Sequence, residues 1–278
     1  MTDSIVNKFQ NFRNDLYNAF HYRSDAIMDL VDATAGNING NSIVQLSLSS
    51  LFRREYSSIT DAIHNLFCKK SDQVPSEEDL RDEQKKVTEL LSEYCPKSAQ
   101  RPFALFAVDC SANPRIYAET IEERGFVHTP NHIPGQKPVT VGHQYSTVTF
   151  LPEDQEDRNQ HWIVPLSVRR VCLSEKGHEV GMEQVKEIIS GPAFRDQLCV
   201  SVADSAYKSP VCTQLIENTD NWVHVVRLAS NRTLFNLPAP PPEKRKRGRP
   251  RSYGEPFRLN WTLSISRPPK LALVSVRL

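Results

Sequence analysis

Two aspartates follow short apolar runs, and what they could do together is the clearest chemistry in this sequence. Phe103–Val108 (FALFAV) leads to Asp109, and Leu198–Ala203 (LCVSVA) leads to Asp204. Each run has the length and apolarity of a strand buried on both faces of a sheet. A carboxylate at the lip of a buried sheet costs free energy unless a cation pairs with it. Two strands that each deliver one Asp at their end therefore suggest a shared carboxylate site. The alternative is two independent aspartates, each capping the turn or helix after it. Cys110, beside Asp109, has no His close by in the sequence and reads as a small buried side chain rather than a nucleophile.

Composition limits the class of protein that carries them. A chain of 278 residues can bury a sizeable core in one or two domains. The formal net charge is +1, so a nucleic-acid signal has to come from local charge. No apolar run approaches the roughly 18 residues of a membrane span, and the polar start MTDSIVNKFQNFRNDL lacks the apolar centre of a signal peptide. Cys68, Cys95, Cys110, Cys172, Cys199 and Cys212 contain no CxxC pair. That spacing argues against a zinc site and for reduced thiols in a cytosol.

The elements that must position the aspartates divide into a helical part and a strand part. Ile5, Phe9, Phe12, Leu16 and Phe20 recur at helical spacing, as do Ile27, Leu30 and Val31. Gly36–Asn41 breaks the pattern. A second apolar series runs from Val44 to Phe67 with Arg53 and Arg54 in its middle. It fits a helix–turn–helix on DNA or a plain helical bundle. Ser76 and Asp79 form a capping-box-like start for a helix Glu77–Tyr94. From Arg101 the period becomes that of strands. Ala118–His143 reads as a long loop or irregular crossover. Tyr145–Leu151 and His161–Leu173 read as strands, with Pro165 marking an edge or bulge. Met182–Ile189 reads as a helix, Leu198–Ala203 as a strand, Pro210–Glu217 as a helix opening on proline, and Trp222–Leu228 as a last strand. Right-handed crossovers then place the Asp204 strand beside and parallel to the Asp109 strand, so that one cation fits between the two carboxylates.

The segment Asn236–Pro256 differs in kind. Four prolines precede Lys244, Arg245, Lys246, Arg247, Arg249 and Arg251. It cannot bury a core and reads as extended. Arg247-Gly248-Arg249-Pro250 resembles an AT-hook, which lays arginines into a narrow A·T minor groove. The alternative is a solvated basic linker. Charge this dense favours phosphates whatever their sequence, so DNA contact is the expectation. Leu259–Leu278 holds two strand-like stretches, WTLSIS and KLALVSV.

Five pieces in order carry a family likeness: FAVDCSANPR around Asp109, VGHQYS (Val141–Ser146), VADSAY around Asp204, RLASNR (Arg227–Arg232) and KRGRPRSYG (Lys246–Gly254). Together they resemble transposases of bacterial insertion sequences with an RNase H-like DDE domain. The resemblance implies an α/β fold: an RNase H-like mixed sheet with flanking helices, preceded by an all-helical N-terminal region. The expected divisions are a helical region over residues 1–98, a partial DDE core over 99–236, a basic DNA-contacting segment over 237–258 and a tail over 259–278. It implies that Asp109 and Asp204 are the first two catalytic, metal-binding acids. It implies Mg²⁺ or Mn²⁺ as cofactor, two ions in a complete member, because these ions prefer oxygen ligands. One ion activates the attacking water or 3′-hydroxyl and the other stabilises the leaving oxygen. Gly142, His143, Tyr145 and Ser146 take a supporting role near the site or in packing. The implied partners are double-stranded DNA at transposon ends and a second copy in a synaptic complex, with no membrane. The implied location is the bacterial cytoplasm, at the nucleoid.

The family's third acid is a Glu on a helix well beyond the basic segment. Here Glu217, Glu243 and Glu255 lie too early or within that segment, so the chain is expected to be a front portion lacking the third acid. Three functions stand as alternatives: a metal-dependent strand-transferase, a non-catalytic DNA-binding relic, and a cellular nuclease on the same fold.

Overall fold

The computed structural model describes residues 2–37, 39–40, 42–70, 75–98, 100–129, 138–153, 162–217, 219–228, 233–236, 238 and 253–258. The chain divides into two compact units. The first comprises Met1–Ala104, Thr149–Val168 and Glu187–Gln197, and the second Leu105–Val148, Arg169–Lys186 and Leu198–Leu278.

Helices dominate the first unit: α1 (Thr2–Ala19), α2 (Ser24–Gly36), α3 (Ile43–Ser47), α4 (Tyr56–His64) and α5 (Glu77–Glu93). Leu16, Phe20, Ala26, Ile27, Met28 and Ala62 form its main apolar cluster, and Phe12, Leu30, Val31, Leu66 and Leu90 pack around them. Only the later part of the α1 apolar stripe is buried, because Ile5 and Phe9 stay exposed. The apolar series from Val44 to Phe67 is not one helix. A turn separates α3 from α4, and it carries Arg53 and Arg54 back to α2. Arg53 Nη2 donates to Asp29 Oδ1 at 2.7 Å and Arg54 Nε to Asp29 Oδ2 at 3.0 Å. Asp29 is buried, and a buried carboxylate needs such partners. The start of α5 is a full capping box. Ser76 Oγ accepts from the Asp79 amide, and the Asp79 carboxylate accepts from the Ser76 amide. Thr88 Oγ1 on α5 then donates to the Leu166 carbonyl at 3.0 Å.

The second unit holds most of a mixed sheet built from β1 (Ala104–Pro114), β2 (Gly125–His128), β3 (Val139–Leu151), β4 (Val164–Val171), β5 (Cys199–Ala203) and β6 (Trp222–Val226). Their order is β2-β3-β1-β5-β6, with β4 also on β3. β5 and β6 pair in parallel, Ser201 opposite His224. α6 (Gly177–Ile189) and α7 (Pro210–Glu217) are the crossover helices. This is an α/β architecture of the RNase H-like kind, with helices ahead of it in the chain.

Several sequence-based boundaries move. The strand expected to end at Asp109 continues to Pro114, so Asp109 sits in its middle. Nor is β1 buried on both faces. Ala104, Phe106 and Val108 are buried, whereas Leu105 and Ala107 are only half-buried. The expected loop Ala118–His143 contains β2, which pairs antiparallel with β3 from Gly125↔Gly142 to His128↔Val139. β3 therefore begins at Val139 rather than Tyr145. α6 begins at Gly177 rather than Met182. Pro165 does lie on a strand with β3 as its one partner among the described residues, as a missing amide requires.

A separate two-stranded ribbon closes the described part. β7 (Thr233–Phe235) pairs antiparallel with β8 (Pro256–Arg258). The Asn236 amide donates to the Glu255 carbonyl at 3.0 Å, and the Gly254 amide donates to the Asn236 carbonyl at 2.9 Å. Lys244, Arg245, Lys246, Arg247, Arg249 and Arg251 lie outside the described residues, but the chain on either side of them is joined by this ribbon. Leu259–Leu278 also lies outside them.

Candidate active site

Asp109 and Asp204 come from neighbouring strands. β1 and β5 are adjacent in the sheet, and Asp204 is the residue after β5. Both aspartates are exposed. Strand alternation sends them to the same face. On β1, Phe106, Val108 and Cys110 share one face, so Asp109 is on the other. On β5, Cys199 and Ser201 are buried, and Val200 and Val202 take the opposite side. Asp204 is extended (φ −77°, ψ −175°) and continues the parity of Val202. The buried sides of the two strands are one side, because Tyr207 touches both. Its hydroxyl meets Cys110, and its ring lies against His224, which is bonded to Ser201.

Asp204 is also a cap. Its Oδ1 accepts from the Ala206 amide at 2.8 Å and opens a single 3₁₀ turn, Ser205–Tyr207. The Tyr207 amide donates to the Asp204 carbonyl at 3.3 Å. The capping reading and the shared-site reading are therefore compatible, since a carboxylate has a second oxygen.

Tyr207 is the residue that sequence inspection missed. It is 2% exposed, and its Oη lies 3.4 Å from Cys110 Sγ. Burial, then that contact with Cys110, pushes the phenol pKa well above its ordinary value, so it stays neutral. Glycines make its socket. A Cβ on Gly181 would come within 2.7 Å of Val108 Cγ2, 2.8 Å of Tyr207 Oη and 3.0 Å of Ser146 Oγ. A Cβ on Gly177 would come within 2.7 Å of Cys110 Sγ. These two residues, four apart, face the sheet together. Glycine disfavours helix, which is why the first turn of α6 is not obvious in the sequence. Close packing on the sheet overrides that preference.

The segment Val141–Ser146 serves packing around the same point. Gly142 has no room for a side chain, because a Cβ there would collide with the Asn113 carbonyl. The Arg115 amide donates to the Val141 carbonyl at 2.8 Å. His143 is buried, and its Nε2 lies 3.0 Å from the Glu122 carbonyl. A carbonyl only accepts, so Nε2 carries the proton. Tyr145 takes the opposite face of β3 from Ser146, and its ring meets that of His143 edge-on.

Beneath Tyr207 lies a chain of polar groups. Trp222 Nε1 donates to Ser201 Oγ at 2.7 Å. The serine hydroxyl also lies 2.7 Å from His224 Nδ1. His224 Nε2 is buried and has no hydrogen-bond partner among the described residues. Burial holds the imidazole below its usual pKa.

The two aspartates fit a hard divalent ion. Mg²⁺ is commonly bound by one or two carboxylates and keeps several waters, and both side chains here reach solvent on one face. Among the described residues no cluster of three or more His, Cys, Asp or Glu forms a metal site.

Asp109, and Asp204 directly after β5, are exposed carboxylates at two adjacent strands of an RNase H-like sheet. The family model for DDE superfamily endonucleases matches residues 15–273, and the chain belongs to that family. Its members generally use divalent metals and act on DNA. A comparison with curated proteins found no match. Among the described residues no helix is long and apolar enough to cross a membrane.

Proposed function

We propose that this chain is a transposase-type member of the family, of the bacterial insertion-sequence kind, in which Asp109 and Asp204 bind one Mg²⁺ or Mn²⁺ at DNA ends. The observation that carries this reading is the placement of both carboxylates on one face of neighbouring strands. A bound divalent ion would supply Lewis-acid charge at a phosphate oxygen and lower the pKa of a coordinated water. Asp109 and Asp204 hold and orient it, and the Asp204 cap fixes the direction of one carboxylate.

The basic segment supplies DNA affinity. Lys244, Arg245, Lys246, Arg247, Arg249 and Arg251 neutralise phosphates, and Arg247 and Arg249 favour A·T-rich minor grooves. The β7–β8 ribbon supports this role, because it pairs the chain on either side of the segment. A second copy of the chain would bring two DNA ends together.

The catalytic set is incomplete in this reading. Paired-ion chemistry needs a further ligand for the second ion, and this reading assigns only Asp109 and Asp204 to the site. The chain by itself therefore binds DNA and does not cut it. The test incubates the 278-residue chain with transposon-end duplex and Mg²⁺ or Mn²⁺, beside Asp109→Ala. Retarded but intact DNA is expected from both proteins. Nicking by the chain that vanishes in Asp109→Ala would overturn the incompleteness and show that another acid completes the site.

A further inference from the structure

The two carboxylates belong to separate stretches of chain, and something must hold them at one spacing. Asp204 lies beyond the end of β5, where the ladder no longer restrains it. We propose that Tyr207 is the positioning residue of the metal site, which pins the Asp204 turn to β1 at Cys110, the neighbour of Asp109. This rests on the two-carboxylate reading above.

Three observations carry it. The Tyr207 amide closes the turn on the Asp204 carbonyl, while the Ala206 amide holds the Asp204 carboxylate. At the other end of the same residue, the hydroxyl meets Cys110 Sγ at 3.4 Å. The cavity around that hydroxyl is shaped for it, because side chains are missing at Gly177 and Gly181, where a Cβ would strike Cys110 Sγ and Tyr207 Oη. The rings of His178 and His224 each have their centroid 6.5 Å from that of Tyr207. A phenylalanine would keep the ring and lose the anchor at β1. Tyr207 touches no reacting atom in this account; it acts through Asp204.

The experiment is a Mn²⁺ titration monitored by electron paramagnetic resonance, with thermal melting recorded on the same samples. Tyr207→Phe is expected to weaken Mn²⁺ binding about fivefold, the size of one lost hydrogen bond, and to lower the melting temperature by no more than a few degrees. Asp109→Ala is expected to abolish binding. Tyr207→Phe with unchanged Mn²⁺ affinity, beside an Asp109→Ala that has lost the ion, overturns the role of Tyr207 and leaves the metal site standing. A wild-type chain that binds no Mn²⁺, or binds it as well without Asp109, overturns both. If Tyr207→Phe does not fold, Cys110→Ala removes the other half of the contact. A weaker Mn²⁺ site in that variant supports the proposal, and an unchanged one overturns it.

Discussion

The Tyr207 hydroxyl sits 3.4 Å from Cys110 Sγ, and through that contact the turn after β5 meets the middle of β1. Each partner is next to, or capped by, a candidate metal-binding aspartate. The arrangement depends on the absence of side chains on one face of α6. Gly181→Ala forces a methyl against Val108, Tyr207 and Ser146 at once, which costs about 1–3 kcal/mol as core overpacking. Gly125→Ala is the informative contrast. There the added methyl meets only the tip of Leu173, an exposed side chain that can swing away, so the cost stays under about 0.5 kcal/mol. Urea unfolding of both variants checks the difference.

Asp29 ties the turn between α3 and α4 to α2 through Arg53 and Arg54. Asp29 is buried, whereas the Arg53 side chain is 77% exposed, so removing the carboxylate leaves both arginines able to reach water. Asp29→Ala is expected to lose about 1–3 kcal/mol, below the range for stranding a fully buried charge. Asp29→Asn should lose most of the same amount, because the amide cannot accept from both guanidinium groups as a carboxylate does. Equilibrium unfolding in urea reads both.

His224 makes stability depend on pH. Burial depresses its folded-state pKa, so the unfolded chain takes up a proton first as pH falls. The contribution is complete above the unfolded value of about 6.5 and drains away as pH drops through it toward the folded value. His224→Asn should flatten that part of the profile. Melting temperatures of both proteins at pH 7.5 and pH 5 test it; parallel loss in the two proteins would assign the dependence to other groups.

The basic segment should act through phosphates. Replacing Arg247 and Arg249 by Ala is expected to weaken duplex binding and to lower the salt slope by about 2, near one released counterion for each arginine. Fluorescence anisotropy across a salt series measures it, and a preference for A·T-rich duplex should fall in the same variant.

Some of this was legible in the sequence and some was not. The runs before Asp109 and Asp204 announced strands, because apolarity over five or six residues is a local signal. The capping box at Ser76 and the proline start of α7 are local signals too. The length of β1 was hidden. Ser111, Ala112 and Asn113 look like a turn, yet pairing across to β3 keeps them extended, with Gly142 allowing the close approach. β2 was hidden for a similar reason, since four residues carry too little periodicity and only β3 makes them a strand. The helical start at Gly177 ran against local propensity. Tyr207 stood in plain view within VADSAY, three residues after the aspartate, but its role depends on Cys110, which is 97 residues away in the chain. The series from Val44 to Phe67 fitted a helix–turn–helix or a plain bundle, and its Arg53 and Arg54 bond to the buried Asp29, a partner that local sequence does not reveal.

Whether Asp109 and Asp204 form one site is read by isothermal titration of the chain with Mn²⁺, in wild type and in Asp109→Ala and Asp204→Ala. A single ion per chain is expected, lost in each variant alone, because neither carboxylate retains it without the other. Binding that survives undiminished in either variant would contradict a shared site, and would mean that the two aspartates, though on neighbouring strands, serve separate ends.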